Sequence, residues 1–364
     1  MLKIMPRTLD TALIGCGIAG RNIHLPILKS HSEINLRAVC DVDYENLESI
    51  ATSLNISAYR DVDEMLKKET LDSVHICTPP STHVPIAKKM LREGIPVLIE
   101  KPVAPSTEAV EELRQVSAET NTMASVVHNK LFKKHVQRAL RSVRCGEYGD
   151  VVSVTMLHSE PRDVSTTERG NWVFDLPGGE VGEGIPHQAY LPLAFVGGLG
   201  DIVSVSKQNF SGHEEVGFDG VALEAVDRTG KSLITIKTIM NTVPKDQLYV
   251  ECTKGELLID TYKNGTFRNT IGTGSMPEVS LRDVLLIGSL SLAGQLTYNI
   301  FRQVVDKIVR IGFEALNNER AMANDSHYEQ ISAHISSIKT NSEPPVTLDE
   351  AEDTIRVLEA LENS

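Results

Sequence analysis

A lysine placed directly after a buried apolar run is a candidate for chemistry, and Leu98-Ile99-Glu100-Lys101-Pro102 supplies one. The apolar residues read as a strand, so Lys101 emerges at its end, with Glu100 beside it to pair with or orient the ammonium. An ammonium there can donate a hydrogen bond to a substrate hydroxyl and stabilise the alkoxide that develops before a hydride leaves. A second apolar run, Thr11 to Ile14, leads into Gly15-Cys16-Gly17-Ile18-Ala19-Gly20, a G-x-G-x-x-G stretch followed by a helical pattern. In that context Gly15 makes the tight turn, Gly17 lets a pyrophosphate approach the backbone, and Gly20 lets helix pack on strand. The pyrophosphate then meets the free N–H groups and dipole of a helix N-terminus. Asp41 stands twenty-one residues after Gly20, at the end of the second strand-like run. Its carboxylate can accept hydrogen bonds from adenosine ribose hydroxyls and repels a 2′-phosphate, which predicts NAD in preference to NADP; Asp43 is close enough to share the role.

Such residues need a scaffold that gathers strand ends on one edge. Apolar runs at Thr11 to Ile14, Leu36 to Cys40, Ser73 to Cys77, Pro96 to Ile99 and Ala124 to Val127 alternate with amphipathic stretches at Tyr44 to Leu54, Asp63 to Lys68 and Val84 to Glu93. That alternation predicts β-α-β units, hence an α/β Rossmann domain with a doubly wound parallel sheet over residues 1–127. Past His128 the pattern changes: one helix from Lys130 to Arg144, then strands at Val151 to His158, Ile202 to Phe210, Val221 to Asp227, Ser232 to Thr238, Leu248 to Cys252 and Leu257 to Tyr262. Mostly short connections imply an α+β domain over residues 128–364 with a large, mostly antiparallel open sheet, closed by helices Glu329 to Lys339 and Leu348 to Leu361.

The glycine stretch, Thr78-Pro79-Pro80-Ser81-Thr82-His83 and Glu100-Lys101-Pro102 together resemble the Gfo/Idh/MocA family of nicotinamide-dependent oxidoreductases, whose members act largely on sugars, inositols and related polyols. The resemblance implies that Thr78, Pro79 and Pro80 lie along the nicotinamide and its ribose, with His83, Glu100, Lys101 and Asn129 as further cofactor contacts, His83 also capping the next helix. It treats His24, in His24-Leu25-Pro26, as a packing or capping residue. Pro177-Gly178-Gly179-Glu180-Val181-Gly182-Glu183-Gly184-Ile185-Pro186-His187 looks like the family's glycine-rich segment ending in an acid, three residues and a histidine, with Glu183 where aspartate is usual. By that pattern His187 is the base, Lys101 the oxyanion stabiliser and Glu183 a catalytic partner. Pro186 is comfortable only in a first helical turn, so Glu183 either precedes the helix or lies one turn below His187. A helix N-terminus near His187 would favour neutral imidazole, the form a base requires. Asn129, Arg162, Arg169 and Trp172 join Lys101 and His187 as expected substrate contacts, with Lys130 where the family often carries arginine. Trp172, the sole tryptophan, either walls a sugar ring or packs its loop.

With 364 residues the chain exceeds the size of one ordinary core, and its net charge of −13 argues against broad attachment to nucleic acid or anionic membrane, leaving a small molecule as the expected partner. The five cysteines are widely spaced with no C-x-x-C, so burial as small hydrophobes outweighs redox or metal roles, and no metal is expected. The first ten residues show no charged-then-apolar signal pattern, from which a cytoplasmic location is expected. An apolar stretch from Val284 to Val309 is interrupted by charges, and reads as a buried or interface helix or one lying in a membrane surface. An open sheet beside such a stretch predicts a homo-oligomer, a dimer or tetramer. Two other functions remain open: an NAD-dependent glycosidase on the same scaffold, and a non-catalytic NAD-binding regulator, the latter motivated by the departures at Glu183, Pro186 and Lys130.

Overall fold

The computed structural model describes residues 8–213, 216–262, 264–270 and 326–364. Its first sheet contains β1 (Leu9–Ile14), β2 (Ile34–Cys40), β3 (Ser57–Tyr59), β4 (Ser73–Ile76), β5 (Val97–Ile99) and β6 (Ala124–Val126), in the order β3-β2-β1-β4-β5-β6. All its pairings are parallel. β4, β5 and β6 are buried along their whole length, as strands covered on both faces must be. Helices α1 (Leu25–Ser30), α2 (Tyr44–Leu54), α3 (Val62–Lys68), α4 (Pro80–Arg92) and α5 (Thr107–Thr120) connect them. Asp61 and Ser106 start α3 and α5 as side-chain caps, and Pro80 opens α4 where a missing N–H costs nothing. The strand order reverses between β1 and β4, and a crevice opens there beyond their carboxyl ends.

The second sheet contains β7 (Val151–Glu160), β8 (Leu199–Gln208), β9 (Gly220–Asp227), β10 (Leu233–Met240), β11 (Lys245–Cys252), β12 (Gly255–Asp260) and β13 (Gly265–Thr270), ordered β13-β12-β11-β7-β10-β9-β8. Only β7 and β10 pair in parallel; the other neighbours are antiparallel. Along β11, Leu248 and Val250 point inward while Tyr249 and Glu251 face out, the alternation of a sheet with one packed face. Helices α6 (Lys134–Arg144) and α7 (Glu180–Val196) pack against this sheet. Of the closing helices, α8 (Ser326–Thr340) returns to the first sheet: Ile331 and Ile335 join the cluster of Leu13, Val39 and Leu98, and Gln330 donates to the Val126 carbonyl at 2.7 Å. α9 (Leu348–Asn363), started by a Thr347–Glu350 capping box, packs on α7 and contacts β8.

The single helix expected from Lys130 to Arg144 is interrupted. Asn129–Phe132 forms a 3₁₀ turn, Lys133 is extended, and only then does α6 begin. The Lys130 N–H donates to the Tyr190 hydroxyl at 3.1 Å, so the turn is held by a partner sixty residues away that no local pattern announces. The apolar stretch Val284 to Val309 lies outside the described residues. Among the described residues no helix is long and apolar enough to cross a membrane.

Candidate active site

The loop between β1 and α1 shows why glycine is needed there. Gly15 has φ +92°, and a Cβ on it would lie 2.5 Å from the Cys77 carbonyl carbon; one on Gly20 would lie 1.9 Å from the Gly15 oxygen. Gly17 has nothing within 4 Å of that position, leaving an open approach to backbone. Gly20 begins a π-helical turn, Gly20–His24, that runs into α1. Asp41 stands at the end of β2 and accepts the Cys16 N–H at 2.5 Å on one oxygen and the Asp43 N–H at 2.9 Å on the other. The Cys16 thiol itself is pushed up to about 12 by burial and the Asp41 charge, so it offers no thiolate.

A cavity of about 580 Å³ begins at this loop. Gly15, Cys16, Gly17, Ile18, Ala19, Asp41, Thr78, Pro79, Pro80, Glu100, Lys101, Asn129, Arg169, Trp172, Glu183 and His187 all line it, with Asp43, Arg60, Lys130 and His327. A space lined by a glycine loop and a carboxylate as well as by a lysine and a histidine suits a dinucleotide with a small substrate beside it.

His83, expected against the cofactor, is not among the lining residues. It is fully buried, its ring nitrogens 2.9 Å from the Pro102 oxygen and 2.7 Å from the Thr78 oxygen, so it ties together the loops after β4 and β5. Glu100 differs from expectation as well. It accepts the Lys101 backbone N–H at 3.1 Å, but its side-chain partner is His24, 2.9 Å away. Burial pushes the Glu100 carboxyl up, yet the His24 hydrogen bond and charge prevail and hold it at about 2, an ionised carboxylate beneath the site. His24 also contacts His75, Nδ1 to Nδ1, at 2.9 Å.

The side-chain partner of Lys101 is Glu183. Its Nζ donates to the Glu183 carboxylate and, at 2.9 Å, to the Glu183 carbonyl oxygen. Two donors are thereby used, and an ammonium has three. Glu183 lies inside α7, one turn before His187, which settles its two expected placements. The helix continues through Pro186 and Pro192 although each interrupts its ladder. Thirteen of its seventeen residues are buried, and packing on that scale outweighs a local cost of about 3 kcal/mol per proline. Arg169 donates to the same Glu183 oxygen at 2.6 Å, and Trp172 donates from Nε1 to the Arg169 carbonyl at 2.8 Å.

His187 is one turn further along, beyond the first turn where a helix N-terminus acts. Enclosure within the protein, with the charges of Lys101 and Lys130, holds its pKa well below the usual histidine range. Its Nδ1 lies 2.8 Å from the Tyr190 hydroxyl. Beyond it a smaller space of about 190 Å³ is lined by Lys130, His158, Glu160, Arg162, Arg169, Glu180, Glu183 and His187. Arg162 therefore sits in this adjoining space, paired with Glu160 at 3.2 Å and Glu180 at 2.6 Å. Lys130 pairs with Asp246 at 2.7 Å, and His158 Nδ1 lies 3.1 Å from the other Asp246 oxygen. Burial works to raise the Asp246 carboxyl, but His158, Lys130 and Thr261 hold it well below the usual carboxylate range. Asp246, His158, Tyr190, Arg60 and His327 escaped the sequence reading. Only Tyr190, three residues after His187 on one helix, left a local signal.

Residues 9–128 match the GFO_IDH_MocA family model, described as an oxidoreductase family with an NAD-binding Rossmann fold. Inositol 2-dehydrogenase of Rhizobium meliloti is 27% identical over 154 residues, 42% of this chain and 46% of that protein. An uncharacterized protein of Saccharomyces cerevisiae is 23% identical over 328 residues, 86% of this chain and 88% of that one. The chain spans about half the length of the first curated relatives it matches, 46% and 44%. Among solved structures, the WlbA dehydrogenase of Bordetella pertussis in complex with NADH and UDP-GlcNAcA superposes with TM-score 0.74 at 17% identity, covering 98% of this chain and 96% of that one. A putative myo-inositol dehydrogenase of Sinorhizobium meliloti gives TM-score 0.69 at 18% identity, covering 97% and 95%. These likenesses extend the shared fold to the second sheet.

Proposed function

We propose, for a chain that belongs to the Gfo/Idh/MocA oxidoreductase family, that it is an NAD-dependent dehydrogenase acting on a secondary hydroxyl of a neutral sugar, inositol or related polyol. The observation that carries this reading is the convergence of Lys101, just past β5, and His187, inside α7, on one cavity that the glycine loop also lines. NAD, when bound, supplies the hydride acceptor. Gly15, Cys16, Gly17, Ile18 and Ala19 would hold its pyrophosphate, Asp41 its adenosine ribose, and Thr78, Pro79, Pro80 and Asn129 its nicotinamide end. Neutral His187 takes the hydroxyl proton at Nε2, while the remaining N–H of Lys101 donates to the same oxygen and stabilises its developing charge.

The neutral character of the substrate is argued from charge. Each of the four cations Lys101, Lys130, Arg162 and Arg169 already has a carboxylate partner: Glu183 for Lys101 and Arg169, Asp246 for Lys130, Glu160 and Glu180 for Arg162. These four cations face four carboxylates, so the set offers a substrate carboxylate or phosphate no net positive charge, whereas hydroxyls can donate to the acids and accept from the bases. Residues 1–127 are assigned to cofactor binding and 128–364 to substrate binding and assembly. The outer face of the second sheet, with Leu233, Tyr249 and Phe267 exposed, is assigned to contact with a second copy in a dimer or tetramer.

The test is a panel of inositols, aldoses and other neutral polyols beside aldonates, uronates and sugar phosphates, each with NAD, following absorbance of the reduced cofactor. Reduction with neutral polyols is expected. Preference for the anionic set removes the charge argument, and net turnover without added NAD favours the glycosidase.

A further inference from the structure

The Tyr190 hydroxyl is fully buried and meets three groups: the Lys130 backbone N–H at 3.1 Å, Asn129 Oδ1 at 3.2 Å and His187 Nδ1 at 2.8 Å. A phenol has one proton to donate and two lone pairs to fill. The backbone N–H of Lys130 can only donate, so it takes one lone pair. One donor and one acceptor remain for two partners, and whichever partner accepts the tyrosine proton forces the other to donate. Asn129 decides between them. Its amide nitrogen is turned to Ser326 Oγ at 3.1 Å and approaches His327 Nδ1 at 3.5 Å, so its oxygen is the group that faces Tyr190. Tyr190 therefore donates to Asn129, and the remaining lone pair must be filled from His187.

We propose that Tyr190 is a positioning residue that, set by Asn129, holds neutral His187 as the Nδ1–H tautomer and so leaves the Nε2 lone pair for the substrate. This goes beyond the assignment of His187 as base and rests on it. The reversed amide would turn the tyrosine proton onto Nδ1, place the histidine proton on Nε2, and present a donor where a base is required. Tyr190 is held in place by His128, stacked on its ring at 4.2 Å between centroids and 15° between planes. His128 stays neutral, its pKa taken down to about 3 by burial, and burial keeps the Tyr190 phenol well above its usual value, so neither group adds a charge to the set.

Proton accounting gives Tyr190 a positioning role and excludes a relay. When Nε2 takes the hydroxyl proton, the ring becomes imidazolium with N–H on both nitrogens, and Nδ1–H stays donated to Tyr190. The amide oxygen of Asn129 accepts a hydrogen bond but has no proton to pass onward. The proton gained at Nε2 must therefore leave by Nε2, toward the cavity.

The experiment is nitrogen NMR of the full chain with NAD, using ¹⁵N-histidine and His187→Gln to assign the ring signals. At neutral pH the parent should show His187 protonated at Nδ1 and bare at Nε2. Tyr190→Phe should lose that pattern, with Nε2–H gaining population. Once a substrate is identified, Tyr190→Phe should lower kcat by on the order of tenfold with KM near parental. An Nε2–H tautomer in the parent overturns the proposal without recourse to any variant. So does a Tyr190→Phe protein that keeps the parental pattern. Parental turnover in His187→Gln would instead remove His187 as base, and leave the tautomer to be judged by the spectra.

Discussion

The two ends of the cavity are built from different materials. At the glycine end the working surface is backbone: a turn that Gly15 makes with φ +92°, an open face at Gly17, and a contact at Gly20 that no Cβ could share. At the other end it is paired charge, and the pairs join residues far apart in the chain. Lys101 and Glu183 are 82 residues apart, and Lys130 and Asp246 are 116 apart. Backbone surfaces tolerate change wherever space is open, because no partner is left behind. Buried pairs do not, because removing one member strands the other in a medium that solvates it poorly.

That contrast can be broken most directly at Asp246. Asp246→Ala takes the carboxylate from Lys130 and from the Nδ1 side of His158, and should cost about 3–5 kcal/mol of unfolding free energy in urea titration. Gly17→Ala, at the opposite end, should change stability by less than about 0.5 kcal/mol while weakening NAD binding. Similar losses in the two variants would erase the distinction. Next in size is catalysis: Lys101→Ala and His187→Ala should each lower turnover by on the order of a hundredfold or more, with NAD affinity by calorimetry nearly unchanged. Near-parental turnover in both would show that the paired-charge end does not perform the chemistry.

Acid should act on the buried imidazoles before it acts on the carboxylates. Burial takes His128 and His334 to about 3, below an ordinary histidine value of 6.5, so the unfolded chain binds protons that the folded one refuses. Their contribution is full above that ordinary value and is lost as pH falls toward about 3. At pH 5 each should have cost roughly 2 kcal/mol relative to pH 7. Glu100, depressed to about 2, contributes fully above its ordinary value of 4.5 and stays out of this window. Denaturant titrations at pH 7 and pH 5 should show the fall, and His128→Phe, which keeps a ring against Tyr190, should reduce it. An unchanged slope in that variant would remove His128 from the account. A smaller effect belongs to cofactor choice. NAD should bind more tightly than NADP, and Asp41→Ala should narrow the gap by roughly tenfold, about 1.4 kcal/mol. Equal affinities in the parent would remove Asp41 from that role, and would turn attention to Arg60 on the same stretch of wall.

Much of the fold was readable because its signals are local. The Tyr44–Leu54 helix appears at the bounds its periodicity predicted, and β4, β5 and β6 fall within the apolar runs assigned to them. β3, with three residues, is too short to carry a pattern, and β13 follows a turn with little apolar content of its own. The broken helix at Lys133 and the unbroken one at Pro186 went against local preference for one reason. In each case tertiary contacts, Tyr190 on the first and burial of most of α7 on the second, outweighed what neighbours in sequence favour.

The amino-acid sequence by itself determined the parallel sheet, its glycine loop, the carboxylate at the end of β2 and the lysine at the end of β5. These depend on hydrophobic period and on the φ angles open to particular residues, which act over a few positions. Tertiary structure decided that Lys101 pairs with Glu183 where Glu100 was expected, that His83 binds two loops together where a cofactor contact was expected, and that Tyr190 meets His187, Asn129 and Lys130 at one oxygen. Hydrogen bonds and buried ion pairs depend on distance and angle in space, and a chain folded through two sheets brings those atoms together without leaving a mark in their spacing along it.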